Sequence, residues 1–330
     1  MVTDKQFAQW SIQLLQDSYG TEEDSSSFFF DGPILRSCAL HSDAQQQTSD
    51  TFGFKWKKRE TFESESARKM MREWARERYG DPAKRLQRMD CPVVLDAGCG
   101  AAYTALEYFQ PVLNDIRYLG VDISTAVDVA RNRMTEAGAN CAFIQSDLNT
   151  IPVRDESIDV IFSEGVLHHT DSTKNALGSL VPLLKKGGLI MFYVYRTKGP
   201  LREFTDDYIR DQMQSMSGEE GWNAMMPLTK LGETLGKLDI EINVDEPIDL
   251  LEIPAGKITL QRLFYWHVFK AFYRSDYDLE EMNHINFDWY APRNAHRQTE
   301  EEVRAWCKEF GLEIEHEDIQ EAGITIVARK

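Results

Sequence analysis

The stretch "VVLDAGCGAAY", Val93 to Tyr103, decides how the rest of the chain is read. Val93 to Leu95 form an apolar strand, Asp96 follows at the point where that strand should end, and Gly98 and Gly100 come next with one residue between them. Glycines at a strand-to-helix turn let the backbone approach a ligand closely. In an open α/β sheet that ligand lies outside the carboxyl ends of the strands, so its chemistry has to be sought in what ends the others.

Beyond this turn the chain repeats a rhythm of short apolar strands and helical stretches: "RYLGVD", "CAFIQSD", "IDVIFSE" and "GGLIMFYVY". Strands alternating with helices of this size predict crossover units and a parallel sheet buried on both faces. The strand ends are polar in order: Asp96, then Asp122, then Asp147, then Ser163-Glu164-Gly165. After Arg196 the rhythm stops, and residues 200–296 read as an inserted helical cap that includes "LQRLFYWHVFKAFY". A helix resumes at "TEEEVRAWCKEFG", where Thr299 and Glu302 match a capping box. "LEIEHEDI" and "GITIVARK" then close the chain across a turn too short for a crossover, hence antiparallel.

Upstream, Phe7, Trp10, Leu14 and Leu15 recur at helical spacing with Gly20 as a stop, which predicts an amphipathic helix over 4–19. The Ser-, Asp- and Gln-rich stretch to about Asp50 reads as loop, and Glu63 to Tyr79 as a charged helix ended by "GDP". The expected organisation is an N-terminal helical extension or lid over 1–88, a core over 89–199 and 297–330, and the cap over 200–296. The fold class is α/β, Rossmann-like and doubly wound, with a mostly parallel seven-stranded sheet and an antiparallel last strand.

The bulk numbers narrow the function. Thirty-seven basic against 54 acidic side chains leave a formal charge of -17. That charge repels a phosphate backbone, so nucleic acid is not expected as a partner. The one basic run, "KWKKRE" at Lys55 to Glu60, is followed by acids and reads as the solvated start of a helix. Five cysteines without a CxxC pair exclude a disulfide framework and fit a reducing cytoplasm. No apolar run approaches the roughly 18 residues of a membrane span, "FFF" at Phe28 to Phe30 included, and no cationic start leads into an apolar leader.

Two cofactors compete for the glycine turn. A nicotinamide dinucleotide needs G-x-G-x-x-G/A, but the third position is Tyr103, and several carboxylates beside a pyrophosphate are electrostatically wrong. A cationic nucleoside without phosphates, such as S-adenosylmethionine, removes both objections. Here the sequence resembles the class I S-adenosylmethionine-dependent methyltransferases, over about 120 residues: "LDAGCG", "GVDIS", "FIQSDLNTIP", "FSEGVLHHTD" and "LLKKGGLIMFYVY" correspond in order to the motifs of that family. "FGFKW" and "DWYAPRNAHRQTEEEV" are similar to one bacterial subgroup of it, whose members often begin with a zinc knuckle of paired cysteines; this chain keeps only Cys38, and no metal is expected.

The resemblance implies that Asp96, Ala97, Gly98 and Gly100 line the methionine and ribose side. It gives Asp122 the ribose, Ile123 the flank of the adenine, Asp147 and Leu148 the adenine pocket, and Ser163 and Glu164 the fourth-strand edge. Ala102 stands where the family has its third glycine.

Methyl transfer from a sulfonium needs mainly orientation and exclusion of water, worth on the order of 7–11 kcal/mol. A base helps only a protonated acceptor. His168 and His169 are about 100° apart on a helix, so one of the two should face the pocket, as base or as a satisfied helix-terminal histidine. The catalytic candidates are His168, Glu164, Tyr195 and His296; the substrate candidates are Trp56, Tyr193, Arg196, Trp289, Tyr290 and Arg293, each weighed against a packing role. "LFYWHVFKAFY" reads first as core or as the contact of a homodimer and second as a substrate box, while Phe52, Phe54 and Trp56 suit a lid. The expected function is methyl transfer to a small metabolite, leaving S-adenosylhomocysteine. A cofactor-consuming cyclase or lyase and a non-catalytic scaffold are the alternatives.

Overall fold

Apolar strands that present no polar face must be covered on both sides, and the chain meets that demand with a central sheet between helical layers. The computed structural model describes residues 7–16, 27–39 and 41–330. Its strands are β1 (Phe28–Asp31), β2 (Ile34–Ser37), β3 (Val93–Ala97), β4 (Arg117–Asp122), β5 (Cys141–Gln145), β6 (Ile158–Glu164), β7 (Leu184–Tyr195), β8 (Glu241–Val244), β9 (Gly256–Thr259), β10 (Glu313–Ile319) and β11 (Gly323–Arg329). Among the described residues nine of them form one sheet in the order β1-β2-β5-β4-β3-β6-β7-β11-β10. β2 to β7 run parallel along this order, and β11 turns antiparallel against β7, Gly323 opposite Tyr195. The order reverses between β3 and β6, which is where a ligand crevice opens in such a sheet.

The mostly parallel sheet and its antiparallel end are as the sequence predicts, but the strand count is not. A hairpin of the N-terminal extension, β1 and β2, adds two strands by pairing β2 parallel to β5, Ile34 opposite Phe143. The extension is therefore not only helical. Nor is the cap: β8 and β9 form a separate hairpin among its helices, Pro200–Met213, Gly218–Leu238, Leu260–His267 and Leu279–Tyr290. Of the predicted helix over 4–19, the described residues 7–16 hold a helix over Gln9–Ile12, after which Leu15 bridges to Val153; residues 4–6, 17–19 and Gly20 lie outside the described residues. The stretch read as loop forms a helix over Asp43–Lys55, because Ser42 caps it by accepting from the Gln45 N–H at 3.0 Å. The charged helix runs over Glu65–Tyr79 and the capping box of Thr299 and Glu302 is formed, both as read from sequence.

Apolar side chains on the two faces of the sheet bury two large clusters. Tyr118, Phe143 and Phe162 belong to one; Leu95, Ile144 and Val194 belong to the other. No helix among the described residues is long and apolar enough to cross a membrane.

One glycine fixes how closely the antiparallel end approaches β7. A Cβ on Gly323 would lie 2.3 Å from the Val194 carbonyl oxygen and 2.2 Å from the Tyr193 ring. Gly323→Ala should therefore cost about 1–3 kcal/mol by overpacking. Urea denaturation reads this as a lower midpoint, and an unchanged midpoint would contradict the packing described.

Candidate functional site

The glycine turn is built to be crowded. Gly98 and Gly100 have φ of 85° and 51°, a region an L side chain rarely adopts, and Ala102 follows at 55° just before the helix Tyr103–Phe109. A Cβ on Gly98 would lie 2.1 Å from Val166 Cγ1, and one on Gly100 would lie 2.7 Å from Trp56 Nε1. Backbone N–H groups of Gly98 and Cys99 hold the turn to the Val121 carbonyl, at 2.7 and 2.9 Å.

Asp122, at the end of β4, accepts from the Gly100 N–H at 2.8 Å and from the Ser124 N–H and hydroxyl at 2.8 and 2.6 Å. A carboxylate offers about four acceptor sites, so one remains for a ligand hydroxyl. Asp147 caps the turn Leu148–Thr150 through one oxygen, at 2.7 Å from the Asn149 N–H, and the Ile123 carbonyl is held by Gln145 at 3.1 Å.

A cavity of about 370 Å3 opens from this turn towards the cap. Gly98, Gly100, Asp122, Ile123, Asp147, Leu148 and Glu164 line its sheet side. Asp96, Ala97 and Ser163 stand behind this wall: Asp96 is bonded by the Tyr118 hydroxyl, and the Ser163 hydroxyl donates to the Ala97 carbonyl at 2.8 Å. The sheet side is strongly acidic. Burial pushes Asp96 up to about 7 against its bond from Tyr118, and pushes Asp122 up against its three donors. Burial raises Glu164 as well, although Arg78 at 3.5 Å and the Tyr79 hydroxyl favour its ionised form. Neither Asp96 nor Asp122 has an ion-pair partner among the described residues. Buried carboxylates without cations fit a positively charged ligand and reject a pyrophosphate.

The roof comes from three segments. Phe52, Lys55 and Trp56 reach in from the end of the helix Asp43–Lys55, Met70 and Trp74 from the helix Glu65–Tyr79, and His284, Asp288 and Trp289 from the cap helix Leu279–Tyr290. Lys55 and Asp288 join lid to cap through an ion pair of a buried ammonium and a half-buried carboxylate, with the Lys55 ammonium also 4.0 Å from the Trp56 ring centroid. Burial pushes Asp288 up, but Lys55, His169 and Lys270 override it and hold the carboxylate well below its usual range. Tyr195 donates to the other Asp288 oxygen at 3.3 Å.

Of the adjacent histidines, His169 lines the cavity; His168 does not. His168 is fully buried against the Tyr195 ring at 3.6 Å, with neither ring nitrogen bonded. His169 Nδ1 lies 2.6 Å from the Asn294 carbonyl, which makes it the donor and leaves Nε2 as the acceptor. Burial lowers its pKa to about 4, against the pull of Asp288, so it is neutral at pH 7.

Tyr193, Tyr195, Trp56 and Trp289 all line the cavity; Arg196, Tyr290, Arg293 and His296 lie away from it. Arg196 pairs with Glu300 at 2.8 Å, Tyr290 donates to Asp206 at 2.8 Å inside the cap, Arg293 is exposed, and His296 bonds the Thr170 carbonyl at 3.0 Å beside a separate outer cleft. The aromatic run of the cap supplies Tyr265, Trp266, Lys270 and Phe272 to the cavity wall. Sequence reasoning did not single out Lys55, which it placed on a solvated surface, nor Asp288, Lys198, Arg202 and Lys270. The signal was present for two of them, an isolated charge inside each aromatic motif, "FGFKW" and "FDWY".

Residues 91–233 match the family model described as a methyltransferase domain. The chain is 30% identical over 172 residues to an uncharacterised methyltransferase, YcgJ, of Bacillus subtilis, covering 50% of this chain and 67% of that one. It is 30% identical to a malonyl-[acyl-carrier protein] O-methyltransferase of Serratia marcescens over 42% of this chain and 49% of the other, thus spanning about half of that relative's length. A probable tRNA methyltransferase 9B of Mus musculus is 31% identical over 34% of this chain and 24% of its own. Among solved structures, the Burkholderia thailandensis 1,6-didemethyltoxoflavin-N1-methyltransferase aligns at a TM-score of 0.46 with 13% identity, over 89% of this chain and 92% of that one.

Asp96 gives the site a measurable pH signature. Unfolded, it titrates near the ordinary value of about 3.9; folded, it is held at about 7. The native state thus binds the extra proton between these values, and the stability Asp96 contributes is lost as pH rises from about 4 to about 7. In thermal melts, the difference between Asp96→Asn and the unmodified protein should move in favour of the variant over that window. A difference constant with pH would mean that Asp96 stays ionised when folded.

Proposed function

We propose, from the premise that this chain belongs to the family of S-adenosylmethionine-dependent methyltransferases, that it transfers a methyl group to a small organic acceptor enclosed between sheet, lid and cap. The observation that carries this reading is the cavity itself. Its acidic end abuts the glycine turn, and its opposite end is walled by aromatic side chains of the cap. A surface of net charge -17 with a roofed pocket suits a small molecule better than a polynucleotide.

The cofactor supplies an activated methyl group on a sulfonium. Asp122 and Asp147 are placed to hold its hydroxyl and amine groups, while Asp96 and Glu164 provide negative potential near the sulfonium. Gly98 and Gly100 keep the turn free of side chains that would collide with Val166 and Trp56. The roof excludes water and orients the acceptor. For an acceptor that arrives protonated, His169 is the base the geometry favours over His168. His169 lines the cavity, and the Asn294 carbonyl at Nδ1 fixes the tautomer that leaves Nε2 unprotonated.

Asp122→Ala should weaken S-adenosylmethionine binding by about tenfold or more, the loss expected for a charged hydrogen-bond acceptor. His169→Gln should leave that binding intact and lower turnover by roughly 10²–10⁴-fold. Calorimetry with the cofactor, and mass spectrometry of adenosine-containing products with and without pooled metabolites, test both. Unaltered cofactor binding in Asp122→Ala would count heavily against the reading, and cofactor breakdown without an acceptor would replace it with a lyase or cyclase.

A further inference from the structure

Four cationic side chains line the cavity from the lid and cap: Lys55, Lys198, Arg202 and Lys270. Two are neutralised within the protein, Lys55 by Asp288 and Arg202 by Asp206 at 2.8 Å. The other two have no carboxylate in direct contact among the described residues: Asp288 acts on Lys270, and Glu203, Asp206 and Glu321 act on Lys198, only at longer range. Lys198 Nζ donates to the carbonyls of Arg196 and Ala322 at 2.7 and 3.0 Å, which satisfies hydrogen bonds but supplies no paired charge. Lys270 Nζ has no hydrogen-bond partner among the described residues, and neither lysine belongs to an ion pair there. Both are more than nine-tenths buried, with exposures of 9% and 8%.

These two ammonium groups converge on one ring. Lys270 Nζ lies 4.6 Å and Lys198 Nζ 5.7 Å from the ring centroid of Trp289. That indole is fixed by its N–H, which donates to Asp206 at 2.7 Å. A ring quadrupole offsets part of an ammonium's desolvation but does not neutralise it. Buried charge of this kind is costly unless paired, and burial accordingly lowers Lys198 to about 7 and Lys270 to about 8. The partner that would offset this cost is an anion entering along the indole.

Resting on the small-molecule methyltransferase reading, we infer that the acceptor is an organic acid: an aromatic or similarly flat apolar body that packs against the cavity's aromatic wall and carries a carboxylate or phosphate held between Lys198 and Lys270 beside Trp289. The cavity's polarity sets its orientation. Asp96, Asp122 and Glu164 repel an anion from the glycine turn, so the charged group points towards the cap and the atom to be methylated points towards Glu164 and Gly98.

Matched acids and amides test this on the full chain saturated with S-adenosylhomocysteine: indole-3-acetate against indole-3-acetamide, 3-phenylpropionate against 3-phenylpropionamide, and phenyl phosphate against phenol, followed by calorimetry. At least one acid should bind about tenfold or more tightly than its neutral partner. That preference should fall to within about twofold in Lys198→Met/Lys270→Met, and Lys198→Gln and Lys270→Gln should each lose part of it. Which anion shows the larger preference distinguishes carboxylate from phosphate.

Lys270→Gln, which removes a buried charge without a direct partner, should leave the melting temperature unchanged or raise it, whereas a lysine present for structure alone would lower it; Lys198→Gln deprives two carbonyls of their donor and is read through the binding preference alone. The inference fails if no acid binds at millimolar concentration, if amides bind as well as acids, or if the preference survives both substitutions. Normal S-adenosylhomocysteine binding with any of those results leaves the methyltransferase reading standing. An acid preference without binding of that product leaves this site standing and removes that reading.

Discussion

The site depends on one ion pair. Lys55 ends the lid helix and Asp288 sits in the last helix of the cap, 233 residues later in sequence, and their contact closes the cavity over the carboxyl ends of the strands. Lys55 is buried and Asp288 half-buried, and removing the carboxylate from such a pair typically costs about 3–5 kcal/mol because the ammonium is left buried and charged. The constraint spreads outward from there. Asp288 also takes the Tyr195 hydroxyl and faces His169, so the end of β7, the turn after β6, the lid and the cap share one electrostatic centre. None of these segments could be displaced without leaving that carboxylate unbalanced.

The same bookkeeping divides the cavity into two ends. Among the described residues, Asp96 and Asp122 at the glycine turn belong to no ion pair, and neither do Lys198 and Lys270 at the cap. A protein selected only for stability would cancel such charges across the gap, since opposite charges in a weakly screened interior attract strongly. Holding them apart fits a site in which one ligand brings a positive group to one end and another brings a negative group to the other. The intervening aromatic wall gives the bodies of both a surface to stack on.

The core of this arrangement was legible in the sequence because a parallel sheet writes itself plainly: each central strand is an apolar run, and each ends in a polar residue where the ligand lies. Asp122, Asp147 and Glu164 could be placed by that rule alone. What escaped came from elements whose pattern is set by tertiary context. The helix Asp43–Lys55 contains few large apolar residues and buries Gln45, Thr48 and Thr51 instead, so a hydrophobic-periodicity reading treats it as loop. Lys55 sits in a basic run, and only the fold reveals that it turns inward while Lys57 is exposed and Lys58 lies half-buried over the Trp222 ring. The β1 and β2 hairpin is short, and nothing local indicates that it extends the sheet. His168 and His169 differ by one position; which of them faces the cavity is decided by a carbonyl contributed by Asn294, far along the chain.

The opening glycine turn takes on a fuller meaning in this setting. Glycines there are usually explained by the approach of a ligand's backbone-binding groups, yet the atoms that would collide first with a side chain belong to the protein: Val166 at Gly98 and Trp56 at Gly100. Trp56 immediately follows Lys55 at the end of the lid helix, so the pair with Asp288 and the seat of the indole over Gly100 are set by the same backbone. The turn accordingly accommodates the lid as well as the ligand. Ala102 differs from the two glycines: at φ 55° it holds a left-handed backbone with its methyl buried in the core. Glycine is retained at the two positions where closure requires it, and at the third the chain accepts a small backbone strain in exchange for packing.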